Sequence, residues 1–473
     1  MTKPTVGLFG IGLDTYWAQF DGLEARLRGY IDEVAALIGA SNATVINMGM
    51  VDTVDKARLA GERFKQEDVE IIFVYSSTYA LSATVLPAVH RVGVPVVLLN
   101  LQPAAAMDYA ALNAMGDRTR MTGEWLAWCG ACPVPEIANV LKRVGIPFYQ
   151  VTGVLTSDPH VVTEIGDWVE AACVAKVMRN NRMGLLGRYY NGMLDIYTDQ
   201  LLQLATFGGH IEVLEIDELA ELHRAVEPGD VEKRLEHFSD CFAVQPDCSD
   251  AELSRAARTS IALDVLVEKH SLGSLAYYYE SIPGHEYEDI VSSVILGNSL
   301  LTARGVPVAG EYEIKNVQAM KILDTFNAGG SFSEYYAIDY ADDVVLFGHD
   351  GPGHIAIAEG QTKVKPLSVY HGKPGQGLSV EMSVRHGSVT LLSVMEREGK
   401  LAFLCAEGES VAGPILQIGN TNSRYRFNSG ARQFVEAWNA EGPAHHCAIG
   451  VGHLAKKLDK LAKLLNIECI NVK

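Results

Sequence analysis

The sequence predicts an α/β protein in which two open α/β blocks are followed by a block of closely spaced antiparallel strands. The first third alternates apolar runs with single helical patterns, a second alternation begins near residue 180, and the pattern changes after about residue 330. Strands alternating with single helices are typical of parallel sheets. Short strands separated by glycine and charged turns are typical of an antiparallel barrel or sandwich.

Length and composition agree with a globular protein of several domains. At roughly 100–200 residues per domain, 473 residues suggest about three domains. With 48% hydrophobic and 21% charged residues, the chain needs no disulfides to form a core. Cys129 and Cys132 form one C-x-x-C, but no second pair completes a structural zinc site. Reduced thiols are therefore the favoured interpretation over a redox pair.

Charge and terminal patterns exclude several classes of partner. The net charge of −19, from 58 acidic and 39 basic residues, argues against binding to nucleic acid or to an anionic membrane surface. The amino terminus shows no signal-peptide pattern, and no apolar run reaches the length that spans a bilayer. We therefore expect a cytoplasmic protein.

The first block predicts a parallel sheet that binds ligands beyond the carboxyl ends of its strands. The predicted strands are 5–11, 44–50, 69–77 and 94–100, and the predicted helices lie near 20–39, 54–66 and 80–91. The segment GLFGIG lacks the G-x-G-x-x-G spacing, and no acidic residue closes the next strand. Its glycines indicate a tight turn rather than a nucleotide loop.

The second and third blocks differ in the spacing of their strands. The second has predicted strands at 181–192, 210–217 and 273–281 and predicted helices at 250–269 and 287–304. The third has predicted strands at 342–350, 354–360, 364–369, 377–387, 388–398 and 400–409, a helix at 453–466 and a last strand at 467–472.

Acidic and imidazole side chains stand at four strand ends where a simple core would not require them. Glu311 follows an apolar strand and a glycine, and Glu334 follows a GGS run. His349 also follows a strand and a glycine, and adjacent His445 and His446 enter a strand. Adjacent residues of an extended segment point to opposite faces, so at most one histidine of this pair is expected to bind a metal.

Two glutamates and two histidines form an oxygen and nitrogen ligand set without sulfur. Such a set suits Mn²⁺, Mg²⁺, Co²⁺ or Fe²⁺ better than structural zinc. Carboxylates beside a metal can also transfer protons, since the metal and neighbouring groups change their pKa.

The segments around these residues resemble the L-arabinose isomerase family, within the L-arabinose/L-fucose isomerase superfamily. RGVPVAGE is similar to the family's G-x-x-[FV]-A-G-E-G-D-W-K segment, with Glu311 at the ligand acid and Lys315 at the downstream lysine. GGSFSEYY resembles G-T-S-F-M-E-D-Y, with Glu334 and Tyr336 at the acid and the tyrosine. Fucose isomerases have an aspartate at the position of Glu334, so the arabinose branch is the more similar one.

Two further segments complete the resemblance. VVLFGHD is similar to V-L-G-x-H-M and provides His349, and AHHCAIG resembles the H-H-T segment, whose second histidine corresponds to His446. The resemblance implies metal ligands at Glu311, Glu334, His349 and His446, with both glutamates catalytic. It also implies sugar contacts at Gln102, Met193, Lys315 and Tyr336. His445 is then expected either to contact the sugar or to support the metal ligands.

The resemblance implies a fold and an assembly as well. We expect two Rossmann-like open α/β domains, 1–178 and 179–328, and a mostly antiparallel C-terminal β-barrel domain with a terminal helix, 329–473. We also expect Mn²⁺ as the cofactor and a homo-oligomer, a trimer or hexamer, with sites between subunits.

The sequence departs from the family beside the metal ligands. Tyr335 stands where the family has aspartate, Asp350 stands where it has methionine, GEGDW has become GEYEI, and SSTYALS replaces H-T-F-S-P. We therefore expect this chain to have the family's metal centre but a different sugar-binding pocket. The predicted reaction is aldose–ketose isomerisation of an open-chain pentose, deoxyhexose or related sugar. The alternatives are a metal-dependent sugar epimerase or lyase and a non-catalytic sugar-binding protein.

Overall fold

The computed structural model describes residues 3–282, 284–370, 373–374 and 376–473. The chain divides into two compact units, Met1–Lys176 and Val177–Lys473. The three-domain division at 1–178, 179–328 and 329–473 stays a prediction beside this result. Among the described residues, no helix has the length and apolar character needed to cross a membrane.

The first unit is built on a five-stranded parallel sheet. Its strands are β1 (Thr5–Ile11), β2 (Thr44–Val51), β3 (Ile71–Tyr75), β4 (Val96–Gln102) and β5 (Phe148–Val154). The helices are α1 (Leu23–Ala40), α2 (Val54–Gln66), α3 (Leu86–Val89), α4 (Tyr109–Ala114), α5 (Arg118–Leu126), α6 (Val134–Arg143) and α7 (Pro159–Arg179), which crosses the unit boundary. The strand order β2-β1-β3-β4-β5 is a common order of doubly wound sheets.

The glycines of GLFGIG allow helices to pack closely on β1. A Cβ added at Gly7 would lie 2.9 Å from the ring of Phe64, and one at Gly10 would lie 2.3 Å from the side chain of Ile31. Phe64 belongs to α2 and Ile31 to the buried stripe of α1. Both glycines lie inside β1 rather than in the predicted turn. Because they have no side chain, they leave the space in which α1 and α2 pack against the strand.

The second unit begins with a four-stranded parallel sheet. Its strands are β6 (Arg182–Gly187), β7 (His210–Leu214), β9 (Ser274–Tyr278) and β10 (Val308–Ala309), and the short strand β8 (Ala243–Val244) lies outside this sheet. Its helices are α8 (Gln200–Phe207), α9 (Ile216–Arg224), α10 (Pro228–Cys241), α11 (Asp250–Lys269), α12 (Glu286–Val291), α13 (Ile295–Ala303) and α14 (Ile314–Thr325). The sheet order is β10-β9-β6-β7, and β8 pairs elsewhere.

The predicted helix 250–269 is confirmed as α11, whereas the predicted helix 287–304 is two helices. Ser249 caps α11 by accepting a hydrogen bond from the backbone N–H of Glu252. Between α12 and α13, Ser292 donates to the carbonyl of Glu288 and Ser293 donates to that of Asp289. Serine side chains that bond to the preceding turn compete with helix continuation, which accounts for the break.

The carboxyl-terminal part of the second unit is mostly antiparallel. Its strands are β11 (Gly329–Asp339), β12 (Val344–His349), β13 (Lys363–Pro366), β14 (Val369–Tyr370), β15 (Lys373–Pro374), β16 (Leu378–Glu381), β17 (Gly387–Arg397), β18 (Lys400–Val411), β19 (Thr421–Arg426), β20 (His446–Val451) and β21 (Glu468–Val472). Its helices are α15 (Ala431–Ala440) and α16 (Ala455–Leu465).

Seven of these strands form one sheet in the order β17-β20-β11-β12-β19-β18-β21, and among its described pairings only β18–β21 is parallel. Two small sheets, β16-β13-β8 and β14-β15, complete the described pairings. Parallel sheets followed by a mostly antiparallel sheet confirm the mixed α/β prediction, while the barrel stays a prediction. The predicted strand 354–360 is wrong, because Ile355–Ile357 forms a 3-10 turn in which the N–H of Ile357 donates to the carbonyl of His354.

Candidate metal centre

Glu311 lies on a turn whose backbone is held in an unusual conformation. It follows β10 and Gly310, and φ is 58° at Glu311 and 63° at Tyr312. Positive φ at non-glycine residues costs on the order of 1–3 kcal/mol each and is found mostly where the surrounding structure imposes it. Here the N–H of Tyr312 donates to Tyr277 O, and the N–H of Tyr190 donates to Glu311 O. The turn thereby holds a largely buried carboxylate at a strand end.

Three neighbouring strands supply Glu334, His349 and His446. The strand β11 lies between β12 and β20, and Glu334 pairs with Gly348 on one side and with His446 on the other. His349 is the last residue of β12, directly after Gly348. Residues that lie opposite each other on paired strands are close enough for their side chains to interact. The register of the sheet therefore assembles these side chains beside Glu311.

The imidazole Nε2 atoms converge on the glutamate carboxylates. His446 Nε2 lies 3.3 Å from Glu311 Oε2, and His349 Nε2 lies 3.8 Å from Glu311 Oε1. His445 Nε2 lies 3.9 Å from Glu311 Oε2 and 3.9 Å from Glu334 Oε2. Two groups of ligand atoms each lie within 4.8 Å of one another: Glu311, His349 and His446, and Glu334, His445 and His446.

Each of these imidazoles bonds to an oxygen through its other nitrogen. The three bonds are His349 Nδ1 to Asp350 O at 2.7 Å, His446 Nδ1 to Glu313 Oε2 at 3.5 Å, and His445 Nδ1 to Asp195 Oδ2 at 2.6 Å. Because carbonyl and carboxylate oxygens accept, we assign a proton to Nδ1, so that in the neutral imidazole the Nε2 lone pair points toward the carboxylates. Metal-ligating histidines have this arrangement, in which an oxygen acceptor orients the ring.

Two buried atoms of the site fit a cation. Glu311 Oε2 and His446 Nε2 face each other at 3.3 Å, yet neither makes a hydrogen bond within the described part of the chain. A buried polar atom without a partner costs about 1–3 kcal/mol, so most have one. A divalent ion would satisfy both lone pairs, and the oxygen and nitrogen donors suit one.

The electrostatics of the site favour a positive charge among the carboxylates. Burial disfavours the charged form of His446, but Glu311 and Glu313 outweigh it and raise the pKa of this imidazole to about 9. Burial likewise disfavours ionised Glu311, but His446, His349 and His445 outweigh it and lower the pKa of the carboxyl. The surroundings therefore favour a cation here, whether a proton or a metal ion carries the charge.

Three of the predicted sugar contacts lie around this centre. Lys315 is buried, and its Nζ donates to the backbone carbonyl of Asp195, whose carboxylate binds His445. The Tyr336 hydroxyl accepts from Asn420 Nδ2, with 2.8 Å between the oxygen and the nitrogen. Burial, together with the carboxylates of Asp350 and Glu334, raises the pKa of Tyr336.

The other two predicted contacts lie farther back along the chain. Gln102 is the last residue of β4, in the first unit, and its sugar contact stays a prediction. Met193 is half-buried in the second unit and directly precedes a 3-10 turn, Leu194–Ile196. This turn carries Asp195, the partner of His445.

Sequence reasoning did not identify Asp195 or Glu313. Glu313 lies in GEYEI where the family has GEGDW, so an acid two residues after Glu311 was an available signal. No comparable pattern marks Asp195. The expectation that His445 and His446 face opposite ways does not hold, since His445 precedes the first residue of β20. Their ring centroids are 3.8 Å apart, and both Nε2 atoms face Glu311.

Residues 329–468 match the family model described as the L-arabinose isomerase C-terminal domain. This range includes Glu334, His349 and His446, and Glu311 precedes it.

Several relatives named L-arabinose isomerase align with most of the chain. One from Nocardioides sp. is 24% identical over 383 residues, which are 77% of this chain and 71% of the relative. One from Mycolicibacterium smegmatis is 22% identical over 385 residues, with the same 77% and 71% coverage. One from Geobacillus thermodenitrificans is 20% identical over 379 residues, again with 77% and 71% coverage.

Proposed function

Because the chain is a divergent member of the L-arabinose isomerase family, we propose that it is a metal-dependent aldose–ketose isomerase. The observation that carries this proposal is the convergence of imidazole Nε2 atoms on the Glu311 carboxylate, with Glu334 in the adjoining strand. Such a donor set beside two carboxylates serves both cation binding and proton transfer.

We propose that Glu311, Glu334, His349 and His446 hold a divalent cation, Mn²⁺ by family resemblance, with Mg²⁺, Co²⁺ or Fe²⁺ as alternatives. The set contains oxygen and nitrogen donors only, and Glu311 Oε2 and His446 Nε2 are buried with no hydrogen bond among the described residues. When bound, such a cation supplies Lewis acidity, which polarises a sugar carbonyl and lowers the pKa of the neighbouring hydroxyl.

The two glutamates are proposed to carry the proton chemistry. One accepts a proton from the substrate and the other returns one, so that a cis-enediol connects the aldose and the ketose. Direct hydride transfer between C1 and C2 is the alternative. Incorporation of solvent deuterium at the product carbon, followed by NMR, distinguishes the two routes.

The proposed substrate is an open-chain pentose, deoxyhexose or related sugar. Lys315, Tyr336, His445 and Met193 are proposed to contact it, and the sugar contact of Gln102 stays a prediction from the family resemblance. We propose that the sugar pocket differs from the family's, and Asp350, which stands where the family has methionine, supports this. Asp350 accepts from Asn420 Nδ2 at 2.9 Å, and the same nitrogen donates to the Tyr336 hydroxyl. A methionine at this position would offer only the weak acceptor of its thioether sulfur in place of a carboxylate, so L-arabinose itself is not proposed.

We further propose that the antiparallel sheet is a closed barrel and that the protein is a homo-oligomer. Pairing of β17 with both β20 and β18 supports closure, since it connects the two ends of a six-strand series. Family resemblance implies that a neighbouring subunit completes each site. The exposed fractions of the His445 and Asp195 side chains, 36% and 41%, support this, because a neighbouring subunit could cover them.

The test is a panel of aldoses incubated with the protein and Mn²⁺, with products identified by NMR. We expect a ketose from at least one pentose or deoxyhexose and none from the matched Glu334→Gln variant. An epimer or cleavage products would assign a different reaction to the site. Sugar binding by calorimetry without turnover of any aldose would instead identify a binding protein.

A further inference from the structure

Asp195 joins two predicted sugar contacts that are far apart in sequence. Its Oδ2 accepts hydrogen bonds from the backbone N–H of His445, at 2.9 Å, and from His445 Nδ1, at 2.6 Å. Its backbone carbonyl accepts from Lys315 Nζ. The 3-10 turn Leu194–Ile196 thus binds both a side chain of α14 and the residue that precedes β20.

The two bonds to the Asp195 carboxylate determine how the His445 ring is placed. His445 precedes β20, so the strand ladder does not hold it, and its side chain is 36% exposed. A bond to the main chain locates the residue, and a bond to Nδ1 sets the ring rotation and the tautomer. With the proton on Nδ1, the Nε2 lone pair faces Glu311 and Glu334, at 3.9 Å from each.

The Nε2 atom of His445 is an acceptor that a ligand can approach. In the Nδ1–H tautomer Nε2 carries a lone pair, and the 36% exposure of the side chain allows a group with a hydrogen-bond donor to reach it. An open-chain sugar brings several hydroxyl donors to this position. The direction of the His445 lone pair is therefore suited to a polyhydroxylated substrate.

We propose that Asp195 is a positioning residue that fixes the Nδ1–H tautomer of His445, so that Nε2 accepts a hydrogen bond from a hydroxyl of the bound sugar. The role in sugar binding rests on the proposed function, whereas the anchoring of His445 does not. Loss of an oxygen that orients a site histidine costs about 10- to 100-fold in activity, and we expect a loss of this size in kcat/KM for Asp195→Ala.

The kinetic test compares this variant with Asp199→Ala, a matched control four residues further on. The Asp199 carboxylate caps α8 by accepting from the N–H of Leu201 at 2.8 Å, so its loss perturbs the same segment without removing a bond to His445. Asp199→Ala should keep near-native kcat/KM. Equal activities of the two variants would overturn the proposal.

A double-mutant cycle asks whether Asp195 acts through His445. In the His445→Ala background, Asp195→Ala should cause less than a twofold further loss, because both changes remove the same oriented ring. If Asp195→Ala causes its full loss in that background, Asp195 acts independently of His445 and the proposal is wrong.

A spectroscopic readout separates this proposal from the proposed function. The full chain, labelled with ¹⁵N-histidine, should show a His445 ring signal of the Nδ1–H tautomer, identified by its absence in His445→Gln. Asp195→Ala should shift that signal toward the Nε2–H form, and an unchanged signal would refute the anchoring. If the shift occurs but no aldose is turned over, the anchoring stands and the role in sugar binding is refuted together with the proposed function.

Discussion

Glu334 lies opposite His446 in the antiparallel pairing of β11 with β20, although 112 positions separate them in the sequence. On its other side Glu334 pairs with Gly348, the residue before His349. A shift of one residue in either pairing would turn the side chains of one strand to the other face of the sheet. The candidate metal centre therefore depends on the register of three strands.

Replacement of Glu311 by glutamine should abolish turnover while the fold is retained. The amide has nearly the same shape, but it cannot serve as a proton acceptor and it removes the negative charge that faces the histidines. We expect kcat to fall by at least about 100-fold, since general acid–base groups contribute on this scale. The control is Glu398→Gln, at an exposed turn residue. Near-native kcat in Glu311→Gln would contradict the assigned role.

Removal of the metal should inactivate the protein and lower its stability. At a free metal concentration of about 100 times Kd, binding to the folded state adds about 2.7 kcal/mol to the free energy of unfolding. Exhaustive EDTA treatment should therefore lower Tm as well as activity, and Mn²⁺ should restore both. Activity that survives EDTA would refute the metal-dependent mechanism.

Glu313→Ala should weaken both metal binding and folding. The Glu313 carboxylate is fully buried, faces His446 Nδ1 and accepts from the N–H of Lys315 at the start of α14. Its removal leaves buried donors without partners, which costs about 1–3 kcal/mol, and we expect metal affinity to fall by about 10- to 100-fold. Calorimetric titration with Mn²⁺ and urea unfolding measure the two effects.

The control for Glu313→Ala is Thr53→Ala, which removes a helix cap in the first unit. It should cost about 1 kcal/mol in the free energy of unfolding and leave metal affinity unchanged. If both variants bind Mn²⁺ with native affinity, Glu313 has no part in orienting His446.

Gly348→Ala should destabilise the protein and disturb the position of Tyr336. A Cβ at this position would lie 2.1 Å from the backbone oxygen of Thr421 and 2.6 Å from Cε2 of Tyr336, so β12 and β19 would have to separate. We expect a loss of more than about 2 kcal/mol in unfolding free energy, because overpacking costs typically 1–3 kcal/mol. Thermal and urea unfolding test this.

Gly29→Ala is the matched control for Gly348→Ala. Gly29 lies inside α1, and an added Cβ there would have no atom within 4 Å. Alanine in a helix interior is favoured over glycine by about 0.5–1 kcal/mol, so this variant should be slightly more stable than the native protein. Equal stability of the two alanine variants would contradict the close packing around Gly348.

The sequence by itself determined the residue types of the site and the order of the main elements. Helix α11, the strand before Glu311 and the strand that ends at His349 follow from apolar periodicity and local capping, which are properties of neighbouring residues. The glycine contexts of Glu311, Glu334 and His349 also lie within short segments. Such local signals predict the mixed α/β class, and together with the family resemblance they predict the candidate metal ligands.

Only the tertiary structure decided how those residues are oriented. Asp195 and His445 meet across 250 positions, and Glu313 meets His446 across 133, so no local pattern could have paired them. Both rings of the histidine pair face Glu311, because His445 lies outside β20. The first residue of β20 is His446, which pairs with Glu334 of β11. Sheet register and hydrogen bonds between distant segments fix the direction of each ring, and these depend on packing rather than on neighbouring residues.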